Sequence, residues 1–338
     1  MSIRKIAEMT GLSIATVSNV INGTRPTSEE SKRRVMAAAA QIGYRPNLAA
    51  RMLRTQRSNT IAFIIPTDEA NRNANFFYMD VLLGIHQKLW ETGFNVIVAN
   101  YGSTATGERS LSAVEVCRKQ WVDGVIFVPS SRSAAQLDVL QEMAVPFVLV
   151  DRRVDSKSSY SFVGSDHEQG AYDAVQLLVR NGYRKIGFIG GALKVASGYE
   201  RCRGYLRAIR DCGFGYEEEY VHLTRYFSQE EGRKAVRHLI NKGVDGLLIA
   251  DNALSMGAVQ ELQKLGVHVP EEIGVVGYDG FDWMEFTQPA LTAVKQQAHK
   301  MGYLAAELIM KRISGDEKNE QIRLKTSLAL RQSHGTQR

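Results

Sequence analysis

Residues 3–22, Ile3-Arg4-Lys5-Ile6-Ala7-Glu8-Met9-Thr10-Gly11-Leu12-Ser13-Ile14-Ala15-Thr16-Val17-Ser18-Asn19-Val20-Ile21-Asn22, read as two short helices meeting at a glycine. The spacing has a steric reason. A small Ala7 lets two helices cross closely, Gly11 takes the positive φ of the turn, and Val17 plugs the angle between them. Ser13 stands where an N-cap belongs, so the second helix starts there and presents Ile14, Ala15 and Thr16 in its first turn. Ser2 is placed to cap the first helix in the same way. Such a pair delivers its second helix into the major groove of DNA, so the stretch implies a DNA reader; the plainer alternative is a pair of small surface helices in an enzyme.

Working outward, a third helical pattern starts at Ser28, carries Glu29 and Glu30 in its first turn and Val35, Ala39 and Ile42 on one face, and stops at Gly43 before Pro46. Next comes Tyr44-Arg45-Pro46-Asn47-Leu48-Ala49-Ala50-Arg51-Met52-Leu53-Arg54. Asn47 can cap this segment, but it is too short to hold together alone in water, so something outside the chain must stabilise it. Charge points the same way. Residues 1–60 carry ten Lys or Arg against three acids, a surplus of seven, while the whole chain is +6. A basic head on a near-neutral body is the footprint of phosphate binding confined to one module.

From Thr60 the pattern changes to short apolar runs separated by amphipathic helices: 61–65, 95–99, 125–128, 147–150, 186–189, 247–250 and 275–277. That alternation predicts parallel sheets covered by helices. An internal echo, Val122-Asp123-Gly124-Val125-Ile126-Phe127-Val128 against Val244-Asp245-Gly246-Leu247-Leu248-Ile249-Ala250, predicts two similar α/β lobes. Paired lobes of this kind close on a small ligand held at the carboxyl ends of their strands.

Several function classes find no support in the residues. No apolar run is long enough to span a bilayer, and Arg4-Lys5 is followed by mixed polar sequence rather than the apolar core of a signal peptide. Cys117, Cys202 and Cys212 are odd in number and lack metal-ligand spacing, which suits reduced thiols of the cytoplasm. Gly187-Phe188-Ile189-Gly190-Gly191 lacks the dinucleotide spacing, Gly164-Ser165-Asp166-His167 fails the nucleophile elbow, and Lys295 with His299 has no further ligand in reach. No catalytic group, cofactor or metal is expected.

The order Ile-Ala-Glu, Gly-Leu-Ser, Ala-Thr-Val-Ser, Val-Ile-Asn-Gly, Gly-Tyr-Arg-Pro-Asn and Ala-Ala-Arg-Met-Leu-Arg-Thr resembles the lactose-repressor (LacI) family of bacterial transcription regulators, and the likeness runs from Ile3 to about Ser333. It implies a helix-turn-helix headpiece over 1–45, a hinge helix and linker over 46–59, and a two-lobed, periplasmic-binding-protein-like domain over 60–333. Lobe one is expected at about 60–161 plus 290–321 and lobe two at about 162–289 plus 322–333. The hinge helix would form on operator DNA, with Leu53 wedging a base step and small Ala49 and Ala50 admitting a partner hinge. The DNA-facing set is Ser13, Ile14, Ala15, Thr16, Ser18, Asn19 and Asn22, continued by Asn47, Ala49, Ala50 and Leu53. Asn19 stands where arginine is common, which favours adenine over guanine.

For the effector, the resemblance implies Asp279 at the end of Val275-Val276-Gly277-Tyr278-Asp279, Arg201 with Ser197 four residues before it, and Asp151 at another strand tip. A helix cap or a lobe-to-lobe salt bridge is the alternative for Asp151. Phe77 and Tyr78 lie in the match to an Asn-Pro-aromatic-aromatic loop, with Phe76 in the proline's place; they would stack on a ligand ring or simply pack the core. Phe227 and Trp283 are weaker aromatic candidates. Asp251-Asn252 exchanges the carboxylate and amide of the family's usual Asn-Asp order, so the contact at Asp251 departs from the resemblance and a different ligand is expected. The whole reads as a cytoplasmic, homodimeric, effector-controlled regulator on pseudo-palindromic double-stranded operator DNA, its effector a sugar, sugar acid or sugar phosphate. A solute-binding protein or a sugar-metabolising enzyme with an added headpiece is the competing reading.

Overall fold

The computed structural model describes residues 2–22, 25–44, 57–66, 75–101, 122–142, 145–215 and 217–336. The chain divides into two compact units, Met1–Ser58 and Asn59–Arg338. In the first, α1 (Ile3–Thr10), α2 (Ile14–Asn22) and α3 (Glu29–Gln41) enclose Ile6, Ala7, Val17, Val35, Ala38 and Ala39. Ile6 and Val17 are fully buried, worth about 2 kcal/mol each. Gly11 ends α1 at φ 64°, a left-handed turn that only glycine adopts at no steric cost. Ser13 accepts from the Thr16 N–H at 3.0 Å, and Ser28 accepts from the Ser31 N–H to open α3. Ser2 sits at the N-cap of α1 in extended backbone but makes no side-chain cap bond, so the expected cap is absent there. The hinge residues Asn47, Ala49, Ala50 and Leu53 lie outside the described residues.

The second unit alternates strands and helices. β1 (Thr60–Pro66), α4 (Asn75–Glu91), β2 (Asn95–Tyr101), β3 (Gly124–Phe127), α5 (Ala135–Glu142), β4 (Phe147–Val150) and β5 (Phe162–Ser165) come first. Then follow α6 (His167–Arg180), β6 (Ile186–Gly190), α7 (Ala196–Asp211), β7 (Val221–Leu223), α8 (Gln229–Asn241), β8 (Gly246–Ile249), α9 (Asn252–Leu265) and β9 (Gly274–Asp279). β10 (Thr292–Lys295), α10 (Ala298–Ile313), β11 (Gln321–Leu324) and β12 (Ser327–Ala329) complete it. Two six-stranded sheets result, in the orders β11-β5-β4-β3-β1-β2 and β12-β10-β9-β8-β6-β7. Neighbours are parallel except β10 and β12.

The echo seen in the sequence has a structural meaning. β3 and β8 hold the same place in their sheets, and the aspartate before each clamps the entry to a neighbouring strand. Asp123 accepts from the Asn59 N–H at 2.8 Å, and Asp245 accepts from the N–H groups of Arg184 and Lys185.

The lobe boundaries differ from the expected ones by a few residues. β5 at 162–165 and β11 at 321–324 pair with each other in the first sheet, while β10 at 292–295 belongs to the second. The chain therefore crosses between β5 and α6, between β10 and α10, and between β11 and β12, a few residues beyond the expected points near 162, 289 and 322. Each crossing falls after its strand because a strand must finish its ladder before the chain can leave the sheet. After the second crossing, α10 returns to lie on α4, and the two backbones nearly touch. A Cβ at Gly84 would lie 1.9 Å from the His299 carbonyl oxygen, and one at Gly302 1.9 Å from that of Val81.

Candidate functional site

A cleft between the lobes holds roughly 480 Å³ of empty space, its open mouth included, and residues of both lobes line it: Phe77, Tyr78, Asp151, Arg152, Ser197, Arg201, Phe227, Asp251, Asn252, Asp279, Phe281 and Gln296. Eight of the nine effector candidates named from the sequence line this cleft, from both lobes. Arg152, Asn252, Phe281 and Gln296 were not among them. Trp283, the ninth, lines an adjoining hollow that shares Phe77, Asp279, Phe281 and Gln296 with the cleft, and donates its indole N–H to Asn252 at 2.8 Å.

Two of the acids are placed by the same device. Asp151 follows β4 and Asp279 ends β9, strands that occupy matching positions in the two sheets. Their φ angles are 67° and 79°, a left-handed region costly for a side chain with a Cβ and found at functional sites. Each strand tip thus turns sharply and carries a carboxylate into the cleft. Asp251 follows β8 and accepts from the N–H groups of Ala253 and Leu254, capping α9. Burial, and then the neighbouring Asp279 charge, push its pKa up to about 6.

Arg201 is buried on α7. It donates to the Ala250 carbonyl at 2.7 Å and to His167 Nδ1 at 3.3 Å, lies 3.9 Å from Asp279, and stacks 3.8 Å from the Tyr278 ring centre. The carboxylate of Asp151 accepts from the Tyr78 hydroxyl at 3.1 Å and pairs with Arg152 at 3.4 Å. It stands 3.8 Å from His167 Nε2 of the other lobe, too far for a hydrogen bond. Burial alone would raise the Asp151 pKa, but His167 and the charges of Arg152 and Arg201 outweigh it and hold the carboxyl below the usual range. Burial, and next the Arg201 charge, depress the His167 pKa. Among the described residues, Arg152 Nε, His167 Nε2 and Gln296 Oε1 are buried without a hydrogen-bond partner, although the Gln296 amide N–H donates to Asp279 at 2.6 Å.

Phe77 and Tyr78 pack in the core of the first lobe and also line the cleft. Phe227 packs in the second lobe, and a Cβ at Gly191 would strike its ring at 2.0 Å, so that glycine lets the ring reach the cleft wall.

Beside the cleft, residues 132, 153 and 323 of the first lobe hold α7 of the second. Arg153 Nε lies 2.7 Å and Arg323 Nη2 3.3 Å from the buried Glu200 carboxylate. Arg132 donates its backbone N–H to the Lys194 carbonyl at 2.8 Å and stacks 3.7 Å from the Tyr199 ring centre.

In the headpiece, Ser13, Ile14 and Ala15 are exposed at the start of α2, while Thr16, Ser18 and Asn19 are half-buried along it; Asn22 is its last residue. A helix N-terminus with exposed short side chains is the geometry by which a recognition helix approaches base edges and phosphates.

Residues 2–47 match the model of bacterial regulatory proteins of the lacI family, and residues 175–334 that of a periplasmic binding protein-like domain. The transcriptional regulator CelR of Thermobifida fusca is 33% identical over 337 residues, 98% of each chain. The chain belongs to the lacI family of bacterial regulatory proteins. It is a DNA-binding transcription regulator. RegA of Clostridium saccharobutylicum is 31% identical over 94% of each chain. Among solved structures, a CelR–cellobiose complex superposes with a TM-score of 0.75 at 29% identity, covering 98% of this lacI-family chain and 99% of that one. The lac repressor dimer bound to operator and an anti-inducer shares the fold at a TM-score of 0.84 and 22% identity, covering 99% of each chain.

Proposed function

We propose that the chain is a cytoplasmic, homodimeric repressor whose operator affinity is set by a sugar-like effector in the lobe cleft. The supporting observation is convergence: Asp151, Arg201, Asp251 and Asp279 come from distant sequence and from both lobes, yet share one cleft, while the surplus of positive charge stays in residues 1–60. Carboxylates and an arginine beside aromatic walls suit hydroxyl groups on a ring with apolar faces. The cellobiose complex of CelR supports the same class of ligand. In the dimer, two headpieces read a pseudo-palindromic operator, with Ser13, Ile14, Ala15, Thr16, Ser18, Asn19 and Asn22 toward the major groove. Paired hinge segments bring Asn47, Ala49, Ala50 and Leu53 to the minor groove. Effector binding acts through its different affinity for two lobe arrangements, of which only one lets the hinges pair.

The dimer face we assign is α4 with β2, the last strand of the first sheet among the described residues. Met79, Leu83 and Trp90 share one side of that helix and are 54%, 52% and 76% exposed, and Val98 on β2 is half exposed. A stripe of this kind on a folded surface calls for a partner. No helix among the described residues is long and apolar enough to cross a membrane.

Fluorescence anisotropy with DNA from upstream of the protein's own gene, at two salt concentrations and with a panel of sugars, tests this reading. One compound is expected to shift the affinity, and the sign separates inducer from corepressor. Absence of DNA binding under every condition refutes it.

A further inference from the structure

The cleft sets two arginines against three aspartates. Arg152 and Arg201 are 6% exposed each, and neither is free to meet an incoming anion. Arg201 is already directed to the Ala250 carbonyl, His167 and Asp279. Arg152 lies 3.4 Å from the Asp151 carboxylate and donates to the Pro129 carbonyl. Asp151 and Asp279 thus each face an arginine at close range, whereas Asp251 forms no ion pair among the described residues and leaves the five groups with one negative charge in excess. It also occupies the N-terminus of α9, a position where an anionic ligand group would otherwise find backbone N–H donors.

Of the buried cleft atoms without a hydrogen-bond partner among the described residues, Arg152 Nε and His167 Nε2 already face the Asp151 carboxylate at 3.4 and 3.8 Å, which leaves Gln296 Oε1 for a ligand. Gln296 Oε1 is a buried acceptor with no donor among the described residues, and the carboxylates accept only. Hydroxyl groups can donate to such atoms, whereas phosphate dianions and carboxylates cannot. Against Asp251 they also meet a like charge in a partly desolvated site, where repulsion is screened far less than in water.

We propose that the cleft selects an uncharged polyhydroxy ligand and rejects phosphorylated or carboxylated counterparts of the same carbon skeleton. This rests on the sugar-effector reading above and narrows it. Asp251 then sets specificity as well as contact, because it supplies the excess negative charge from a helix cap that an amide can also fill.

The test is isothermal titration calorimetry of the full chain at pH 7.5 with neutral pentoses, hexoses and disaccharides, each paired with its phosphate ester and its aldonic acid. The neutral member of a binding pair is expected to bind at least about tenfold more tightly than either charged one. A charged member that binds as well as or better than its neutral counterpart overturns the inference and leaves the sugar-effector reading standing. Silence across the whole panel, from protein that still binds DNA, overturns that reading itself. Asp251→Asn, which keeps the cap and removes the charge, is expected to narrow the neutral-to-charged ratio at least about threefold; an unchanged ratio overturns the role given to Asp251.

Discussion

Replacing Asp251 by asparagine should make the ligand-free protein more stable, and by an amount that depends on pH. The folded chain holds the Asp251 proton up to about pH 6, against an ordinary value of 3.8. Ionisation in the fold therefore carries a cost that the unfolded chain does not bear. The cost is absent below the unfolded value, grows as pH rises through 4 to 6, and is complete above that window. A shift of about two units corresponds to about 3 kcal/mol at pH 7.5 and about 1 kcal/mol at pH 4.5. Asparagine retains the side-chain oxygen that accepts from Ala253 and Leu254, so the helix cap survives. At about 2 °C per kcal/mol for a unit of this size, melting of Asp251→Asn should exceed wild type by about 6 °C at pH 7.5 and about 2 °C at pH 4.5. Differential scanning calorimetry in matched ionic strength reads both. Equal shifts at the two pH values, or a variant less stable at pH 7.5, would refute the idea that a strained carboxylate is kept there for the ligand.

Leu53→Ala should weaken operator binding by at least about tenfold while changing nonspecific binding much less, measured by anisotropy on operator and scrambled duplexes; equal losses on both would remove the hinge wedge. Glu200→Gln takes away the carboxylate shared by Arg153 and Arg323 and should cost about 2 kcal/mol, read in a urea titration. The same variant should enlarge the radius of gyration in small-angle scattering, and an unaltered profile would show that this ion cluster does not hold the lobes together. Ser13→Ala removes the acceptor for the Thr16 N–H and should lower headpiece stability by about 1 kcal/mol by circular dichroism; an unchanged melting curve would count against the cap.

The helix-turn-helix was legible because every feature it needs is local: a turn glycine at Gly11, a cap at Ser13, and Ala7 and Val17 at the crossing. The alternation of apolar strands and amphipathic helices was legible for the same reason. Sheet membership was not. Phe162–Ser165 is buried along its whole length, and a strand buried on both faces carries no mark of which sheet it joins; β10, buried over Thr292–Val294, poses the same ambiguity. In the cleft, the residues found from sequence were those at the tips of conspicuous strands or in a quoted motif, such as Asp279 and Arg201. Arg152 was hidden in plain view beside Asp151, where a charged residue after a buried strand reads as a surface group. Gln296 could be placed only once β10 was known to belong to the second sheet beside β9. The Ser2 cap failed because a suitable residue in a suitable backbone conformation does not by itself aim the side-chain oxygen.

The three crossings between lobes have a consequence for synthesis. The first lobe needs α10 to cover α4 and β11 to protect the edge of β5, and both arrive only after the second lobe's central strands have been made. That second lobe in turn awaits β12 and Ser333, whose hydroxyl donates to Val275 at 2.6 Å and whose side-chain oxygen accepts from Thr292. A nascent chain that has emerged through β9 therefore carries two unfinished cores at once, each with an open sheet edge. Loss of even the last dozen or so described residues would leave the first lobe complete and the second unsealed. Nonsense mutations late in the gene should accordingly behave as aggregation-prone nulls rather than as soluble DNA binders locked in one state.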